Sequence, residues 1–249
     1  MSSATSFYLP WVHSGRSPGG VPLPPRRLRM GGEHFASDAD FVAAGIRDVN
    51  RLVARAGLGS ASRLLDWGCG AGRLAVGVCE RFGRIAEYHG VEVQRRLVRW
   101  AQRHIGSRPG FRFTFADQMN ARYNPAGRPE RAIPAASAAY DVFYAYSVFS
   151  HLTGVEATGY LTEVHRLLRP GGRAFITAFV EEGVEDEVQN PPGYGPLAWT
   201  GPLHCVRFSR SYFEDAIAAA GLTIGEFDHG RETDGQSSYV LVADAYRAA

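Results

Sequence analysis

The chain has 249 residues, of which 45% are hydrophobic and 21% are charged, and its formal net charge at pH 7 is +2. All 27 residues in the combined lysine and arginine count are arginines, which excludes a Walker-A phosphate loop, a lysine Schiff base and a Tyr-Lys dehydrogenase pair. A nucleic-acid-binding surface would need a larger basic excess than this.

The length fits one large α/β domain, with or without a small cap. Cys69, Cys79 and Cys205 have no metal-ligand spacing and no even pairing, which favours a reducing, cytoplasmic compartment. The first residues lack the features of a secretory signal, and no apolar run approaches the roughly 20 residues of a membrane-spanning helix. We therefore expect a cytoplasmic protein without a membrane span. The sequence leaves metal dependence and oligomeric state open.

Residues 1–36 form a stretch of their own, rich in proline and glycine, with Phe7, Tyr8 and Trp11 near its start. Proline and glycine at this density exclude a helix interior. The aromatic side chains favour an arm packed over the domain rather than a disordered tail. We therefore predict an N-terminal arm or lid over residues 1–36.

The rest of the chain alternates between strand-like and helix-like segments. Strands are expected in SRLLDW, EYHGVEV, FRFTFAD, YDVFYAYSVF, GRAFITAFV, LTIGEFDHG and SSYVLVADAY. The alternation predicts a mostly parallel sheet covered on both faces, and the short link before the last strand predicts an antiparallel hairpin. Helices are expected to begin at three capping pairs, which are Ser37 with Asp40, Thr153 with Glu156, and Ser211 with Glu214.

An irregular stretch over about residues 181–210 separates the fifth strand from the last helix. It opens with the acidic run EEGVEDE and continues as NPPGYGPLAWTGPLHC. We interpret it as an insertion that caps the domain. Several aromatic residues there and elsewhere either wall a substrate pocket or pack in the core, and the sequence leaves both open. These are Tyr8, Trp11, Tyr194, Trp199 and Tyr212.

The turn after the first strand reads DWGCGAG, residues 66–72. Glycines let a backbone approach a ligand closely and turn tightly into a helix N-terminus. From Gly70 onward the sequence also matches a dinucleotide-binding fingerprint, so the glycines alone leave the cofactor open. Asp66 stands two residues before the first glycine, where it would repel a pyrophosphate but suits a ligand that carries an ammonium group.

Polar residues also follow the next three strands. Glu92 ends the second strand, where a carboxylate can accept two hydrogen bonds from a ribose diol. Asp117 follows the third strand and is placed for an exocyclic adenine amine. Tyr146 and His151 follow the fourth strand.

In this combination and order, the sequence resembles the class I S-adenosylmethionine-dependent methyltransferases. LLDWGCGAGR is similar to their motif I, GVEV to their ribose-binding strand end, FADQMN to their adenine-binding loop and LLRPGGRAFIT to the entry of their fifth strand. The resemblance spans about residues 60–180. It implies an α/β, Rossmann-like three-layer sandwich with a seven-stranded sheet in the order 3-2-1-4-5-7-6 and strand 7 antiparallel. It also implies a methyltransferase domain over residues 37–249 that carries the cap insertion.

The resemblance implies S-adenosylmethionine as cofactor and S-adenosylhomocysteine as product. Arg73 either pairs with the cofactor carboxylate or lies solvated at the surface. Trp67 and Cys69 are expected to pack rather than react. The cofactor-binding residues implied are Asp66, Gly68, Cys69, Gly70, Gly72, Arg73, Glu92, Val93, Asp117, Gln118, Met119 and Tyr146.

His151 is the leading candidate for catalysis, and His204 in the insertion is the second. Methyl transfer from a sulfonium is an in-line displacement, in which positioning supplies much of the rate. A hydroxyl nucleophile also benefits from a base whose pKa is near neutrality, which imidazole provides. The alternative role of His151 is to hydrogen-bond the backbone at a helix start.

The sequence therefore predicts a methyltransferase acting on a small-molecule or glycan acceptor, with a hydroxyl oxygen favoured over nitrogen or carbon. No nucleic-acid partner is expected. Two other classes stay open, which are a non-methylating protein that keeps the cofactor and an NAD-dependent oxidoreductase. Asp66 and Asp117 argue against the oxidoreductase.

Overall fold

The computed structural model describes residues 15–31 and 35–244, so Tyr8 and Trp11 of the predicted arm lie outside the described residues. The helices are α1 (Asp38–Ala56), α2 (Arg73–Phe82), α3 (Arg95–His104), α4 (Gly154–Leu167) and α5 (Arg210–Ala219). The strands are β1 (Arg63–Trp67), β2 (Glu87–Glu92), β3 (Phe111–Phe115), β4 (Tyr140–Ala145), β5 (Leu168–Glu181), β6 (Glu187–Gln189), β7 (Val206–Ser209), β8 (Leu222–Asp228) and β9 (Ser237–Ala243).

The main sheet runs β3-β2-β1-β4-β5-β9-β8. The first five strands are parallel, and β9 enters antiparallel between β5 and β8, with Phe175 opposite Val240. Because β8 and β9 are the sixth and seventh strands of the predicted fold, the order 3-2-1-4-5-7-6 with an antiparallel seventh strand is confirmed. The carboxyl ends of β1 to β5 therefore meet at one edge, where open α/β sheets bind ligands.

Two further strands lie in the predicted insertion, so the sheet of the described residues has nine strands rather than the seven expected. β7 pairs in parallel with the end of β5, where Phe179 lies opposite Arg207. β6 pairs antiparallel with β7. The insertion is thus attached by main-chain hydrogen bonds to the far end of β5, beside the edge at which the parallel strands end.

Hydrophobic clusters cover both faces of the sheet. One cluster contains Phe41 and Leu52 of α1, and the other contains Leu161 of α4 and Phe213 of α5. Helices α1 and α2 touch closely, since a Cβ atom on Gly77 would lie 2.1 Å from the carbonyl oxygen of Gly45. This contact brings Asp48 of α1 against Arg73 of α2.

The helix starts follow the expected capping pairs in two cases of three. The side chain of Ser37 accepts the backbone N–H of Asp40, and Thr153 with Glu156 forms a complete capping box. The expected cap at Ser211 is wrong, because α5 begins two residues earlier and Ser209 accepts the N–H of Tyr212. None of the described helices combines the length and apolar character needed to cross a membrane.

The described part of the arm packs against the first two helices. Val21 and Leu23 are buried in the cluster that contains α1. The carboxylate of Glu80 on α2 accepts hydrogen bonds from the Ser17 hydroxyl and the Gly19 N–H. Arg29 pairs with Asp38 at the start of α1. Residues 15–31 are therefore held to the domain by both apolar and charged contacts.

Candidate active site

A cavity of about 840 Å³ opens at the carboxyl edge of the parallel strands. It is bounded by the residues that follow β1, β2, β3 and β4, by the arm and by the insertion. Its lining includes Met30, Phe35, Asp66, Gly68, Gly70, Glu92, Val93, Gln118, Met119, Tyr146, Ser147, His151, Leu197, Trp199 and His204.

The glycine loop forms the floor of this cavity, and its conformation needs glycine at Gly68. This residue has φ +77°, and a Cβ atom there would lie 2.5 Å from Cγ2 of Val148. Gly70 also lines the cavity. Gly72 does not line it and instead starts α2, where a Cβ would lie 3.0 Å from Ile105. Gly72 thus allows the helix to pack and lies back from the cavity wall.

Asp66 is a buried carboxyl group on the cavity wall, with 2% of its surface exposed. The hydroxyl of Tyr88 donates a hydrogen bond to its Oδ2. Burial raises the pKa of Asp66 to about 7, although this hydrogen bond and the charge of Arg73 oppose the rise. A carboxylate with so little access to water attracts an ammonium group strongly, because the ammonium replaces the missing solvation.

Glu92 is the second buried carboxyl group on the wall. Its Oε2 accepts the N–H of Gly70 at 2.9 Å, and its Oε1 accepts the N–H of Gln94 at 2.8 Å. Burial raises the pKa of Glu92 against these hydrogen bonds. Each oxygen keeps a further lone pair for a ligand hydroxyl.

The loop after β3 turns Gln118 toward the cavity and Asp117 away from it. Asp117 has a side chain 43% exposed and lies beside a smaller cavity of about 370 Å³. Its Oδ1 accepts a hydrogen bond from Asn124 at 3.2 Å. Gln118 donates from Nε2 to the carbonyl oxygen of Ala132 at 2.9 Å, and its buried Oε1 accepts no hydrogen bond from any described residue. Met119 lines the large cavity and is 48% exposed.

Arg73 belongs to a chain of ion pairs on the wall nearest α1. It pairs with Asp48, whose other oxygen accepts from Arg51 at 3.0 Å. Arg51 reaches Glu232 at 2.9 Å, and the hydroxyl of Tyr146 donates to the same carboxylate at 3.2 Å. The guanidinium of Arg73 is thus already neutralised, and Tyr146 is already hydrogen-bonded.

Sequence reasoning missed Asp48, Arg51 and Glu232. A signal existed for Asp48, because it lies on the same helix face as the buried residues Ala44 and Leu52. An acidic residue within an apolar stripe indicates a buried partner. Glu232 carried no such signal, because the loop between β8 and β9 meets α1 only in the folded chain.

Cys69 and Val93 also line the cavity. Burial raises the pKa of the Cys69 thiol well above its ordinary value, and the nearby charges of Asp66 and Glu92 add to the rise. Its sulfur contacts the carbonyl oxygen of Gly70 at 3.6 Å. The thiol is therefore protonated at neutral pH, which agrees with the packing role expected for it.

His151 presents one ring nitrogen to the backbone. Its Nδ1 lies 2.9 Å from the carbonyl oxygen of Leu203, so this nitrogen carries the proton and Nε2 is an acceptor. Burial lowers the pKa of His151 to about 4, and the charge of Arg122 lowers it further, although the hydrogen bond to Leu203 opposes this. The ring is therefore neutral and in its proton-accepting form at pH 7, but burial makes it a weaker base than the imidazole of near-neutral pKa expected from the sequence.

His204 has the opposite arrangement. Its Nδ1 accepts the N–H of Thr200 at 2.9 Å, so in the neutral ring the proton lies on Nε2. Burial and the charge of Arg122 lower its pKa. His204 can therefore donate a hydrogen bond through Nε2, whereas Nε2 of His151 can accept a proton.

A closed ring of three hydrogen bonds fixes the conformation of Ser147, the residue after Tyr146. Ser147 has φ +58°, which is unusual for a non-glycine residue. Its N–H donates to Thr177 Oγ1 at 2.7 Å, Thr177 donates to Gln236 Oε1 at 2.8 Å, and Gln236 Nε2 donates to Ser147 Oγ at 2.6 Å. Neither Thr177 nor Gln236 was expected from the sequence.

Comparisons with known proteins agree with this arrangement. Residues 65–174 match a family model described as a methyltransferase domain. The methyltransferase GfsG of Streptomyces halstedii is 28% identical over 148 residues, which are 58% of this chain and 48% of that protein. The chain thus spans about half the length of this curated relative.

Two solved structures share the fold. The [4+2]-cyclase SpnF is 18% identical with a TM-score of 0.59, and the alignment covers 81% of each chain. CalS10 of Micromonospora echinaspora, an amino pentose methyltransferase solved with bound S-adenosylmethionine, is 17% identical with a TM-score of 0.53. That alignment covers 82% of this chain and 91% of CalS10. At these identities the likeness concerns the fold alone.

Proposed function

We propose that the chain is a class I S-adenosylmethionine-dependent methyltransferase that methylates a hydroxyl oxygen of a small-molecule or glycan acceptor. The match of residues 65–174 to a methyltransferase domain model supports the first part of this proposal. The observation that carries the proposal is that one cavity is lined by two buried carboxyl groups, Asp66 and Glu92, and by the proton-accepting ring of His151.

The residues of the cavity fit the cofactor of this family. Asp66 would bind its ammonium group, and Glu92 would accept hydrogen bonds from its ribose hydroxyls. The unpartnered Oε1 of Gln118 would accept the exocyclic amine of its adenine, since a buried acceptor without a donor costs stability until a ligand supplies one. Gly68 and Gly70 leave the space that side chains would fill.

When bound, the cofactor supplies a methyl group on a positively charged sulfur, which is open to in-line attack. His151 would hold the acceptor hydroxyl at Nε2 and take its proton. The hydrogen bond from Nδ1 to Leu203 keeps the ring in the tautomer that this requires. His204 would donate to the acceptor rather than remove a proton. The protein contributes orientation and one proton acceptor.

The arm and the insertion would exclude water from the reaction. Met30 and Phe35 line the cavity next to the glycine loop, and Leu197 and Trp199 line it from the insertion. We propose that both segments act as a lid over bound ligands, because apolar walls strengthen the electrostatic contacts inside.

The test has two stages. Calorimetry should detect binding of S-adenosylhomocysteine to the purified protein, and no binding would overturn the proposal. Mass spectrometry of candidate acceptors incubated with S-adenosylmethionine should then show the gain of one methyl group on oxygen. A methyl group on nitrogen or carbon would redirect the proposal, and turnover without methylation would assign the chain to the non-methylating class.

A further inference from the structure

Arg122 lies on the cavity wall and forms an ion pair with no carboxylate of the described residues. It lies in the loop after β3 and lines the cavity close to His151 and His204. Among the described residues, no carboxylate oxygen lies within 4.0 Å of it, whereas Arg51 and Arg73, on the cavity wall nearest α1, are both paired. Arg47, which pairs with no described carboxylate, also lines the cavity but is exposed to solvent.

The hydrogen-bond donors of Arg122 are only partly used. Nη1 reaches the carbonyl oxygens of Thr200 and Pro202 at 3.4 and 3.5 Å, both at the limit of a hydrogen bond. Nε is buried and donates to no described residue. An unsatisfied buried donor on a cation is costly, so a ligand with a strong acceptor would bind favourably at this position.

Arg122 is the dominant charge acting on the two neighbouring histidines. Its charge lowers the pKa values of both His151 and His204. Asp234 is the carboxylate that acts on His204, and its effect there is smaller than that of Arg122. An anion entering this end of the cavity would therefore meet a net attraction.

The same end of the cavity carries flat apolar walls. Phe179 and Trp199 pack edge to face with ring centroids 5.4 Å apart, and Leu197 of the same insertion as Trp199 also lines the cavity. A ligand here would need an apolar body together with one charged end.

We propose that Arg122 binds an anionic oxygen group, a carboxylate or a phosphate, on an acceptor whose body is apolar. This inference rests on the proposed function, because it assigns the acceptor class of the same cavity. The guanidinium forks onto the anion through Nε and Nη2, which satisfies the buried donor. Binding of the anion fixes the position of the acceptor in the cavity, so that a hydroxyl elsewhere on the acceptor reaches His151.

Matched pairs of small probes test the charge requirement. The probes are 4-hydroxybenzoate against 4-hydroxybenzamide, and phenyl phosphate against phenol. Their binding is measured by saturation-transfer NMR and calorimetry, with and without S-adenosylhomocysteine. The protein should bind at least one anionic probe about tenfold or more tightly than its neutral partner. Equal affinities within both pairs, or no binding of any probe, would overturn the proposal.

Variants assign the effect to one residue. Arg122→Gln should abolish the preference for the anion, whereas Arg122→Lys should keep part of it, because lysine retains the charge but not the fork. Arg128→Gln is the matched control, since Arg128 lies in the same loop with its side chain 71% exposed, and it should keep the full preference. A preference that persists in a folded Arg122→Gln protein would refute the assignment.

The two proposals fail in different ways. If S-adenosylhomocysteine does not bind, the proposed function fails, yet the anion preference can still be measured without it. If S-adenosylhomocysteine binds with normal affinity but the neutral and anionic probes bind alike, the acceptor class is wrong and the methyltransferase function stands.

Discussion

Tyr88 on β2 donates a hydrogen bond from its hydroxyl to the carboxyl group of Asp66 on the adjacent strand β1, and both side chains are buried. This bond opposes the effect of burial on the pKa of Asp66. It therefore lowers the pH at which Asp66 becomes charged and able to attract an ammonium group.

Cofactor affinity should depend on pH through Asp66. With a pKa of about 7, the carboxyl group is mostly protonated at pH 6 and mostly charged at pH 8, so binding strengthens as pH rises. For a single group this predicts about a tenfold lower Kd for S-adenosylhomocysteine at pH 8 than at pH 6. Calorimetry at the two pH values measures it, and an Asp66→Asn variant should bind weakly with a flat profile. Equal Kd values in the unmodified protein would contradict the prediction.

Tyr88→Phe should shift this pH profile upward. Loss of the hydrogen bond removes a contact that lowers the pKa of Asp66, so the group charges at a higher pH. We expect weaker binding at pH 7 than in the unmodified protein and partial recovery toward pH 8.5. Calorimetry over this range tests the shift. An unchanged profile would mean that Tyr88 only packs against Asp66.

Gln118→Leu and Asp117→Ala separate two assignments of the adenine contact. The sequence pattern favours Asp117, but the structure turns its side chain toward a smaller cavity and leaves the Oε1 of Gln118 unpartnered. We expect Gln118→Leu to weaken S-adenosylhomocysteine binding about tenfold, the value of one good hydrogen bond. Asp117→Ala should change the Kd less than threefold. The reverse ranking would restore Asp117 as the adenine ligand.

His151→Ala should lower turnover by about 10²- to 10⁴-fold while S-adenosylhomocysteine binding changes little. The control His104→Ala, on the exposed side of α3, should leave both quantities unchanged. Methyl transfer to an acceptor identified by product mass measures turnover. Undiminished turnover in a folded His151→Ala protein would remove His151 as the base.

The pH dependence of turnover gives a second test of His151. Because its pKa is lowered to about 4, the ring stays in its proton-accepting form down to about pH 5 and loses it only below that. The contribution of His151 to turnover should therefore be constant from pH 8 to pH 5. A loss of turnover centred near pH 6.5 that disappears in the His151→Ala protein would contradict this burial effect.

Asp48→Asn tests the ion-pair chain on the wall nearest α1. Asp48 is buried and pairs with both Arg51 and Arg73, so its loss leaves Arg73 without its carboxylate partner and leaves Arg51 with Glu232 alone. Breaking such a pair from one side costs about 3 kcal/mol or more. Urea unfolding should show this decrease in the free energy of unfolding. A Glu80→Gln control, on the outer side of α2, should cost about 1 kcal/mol or less.

The sequence was sufficient for the fold because its signals are local. Strand and helix periodicity, the glycine turn and the pairs Ser37–Asp40 and Thr153–Glu156 each act over a few residues, and the sheet order follows from the family resemblance. At α5 two serines compete, and Ser209 caps the helix because β7 ends directly before it.

The site was most predictable where its residues lie at the carboxyl end of a strand. Asp66 and Glu92 end strands whose direction fixes their side chains. Asp117 and Gln118 lie beyond β3, where alternation no longer decides which side chain faces the cavity. Gln236 reaches the site because β9 pairs with β5. This pairing is long-range, so local sequence patterns do not predict it.

Gly68→Ala and Val148→Ala test the floor of the cavity as a double-mutant cycle. An alanine at residue 68 must adopt φ +77° and place its Cβ 2.5 Å from Cγ2 of Val148, so Gly68→Ala should destabilise the protein by about 2–4 kcal/mol. Val148→Ala removes the clash but not the backbone strain. The double variant should therefore be more stable than the sum of the single changes predicts, by about 1 kcal/mol or more in urea unfolding. Strict additivity would mean that backbone strain alone requires glycine at this position.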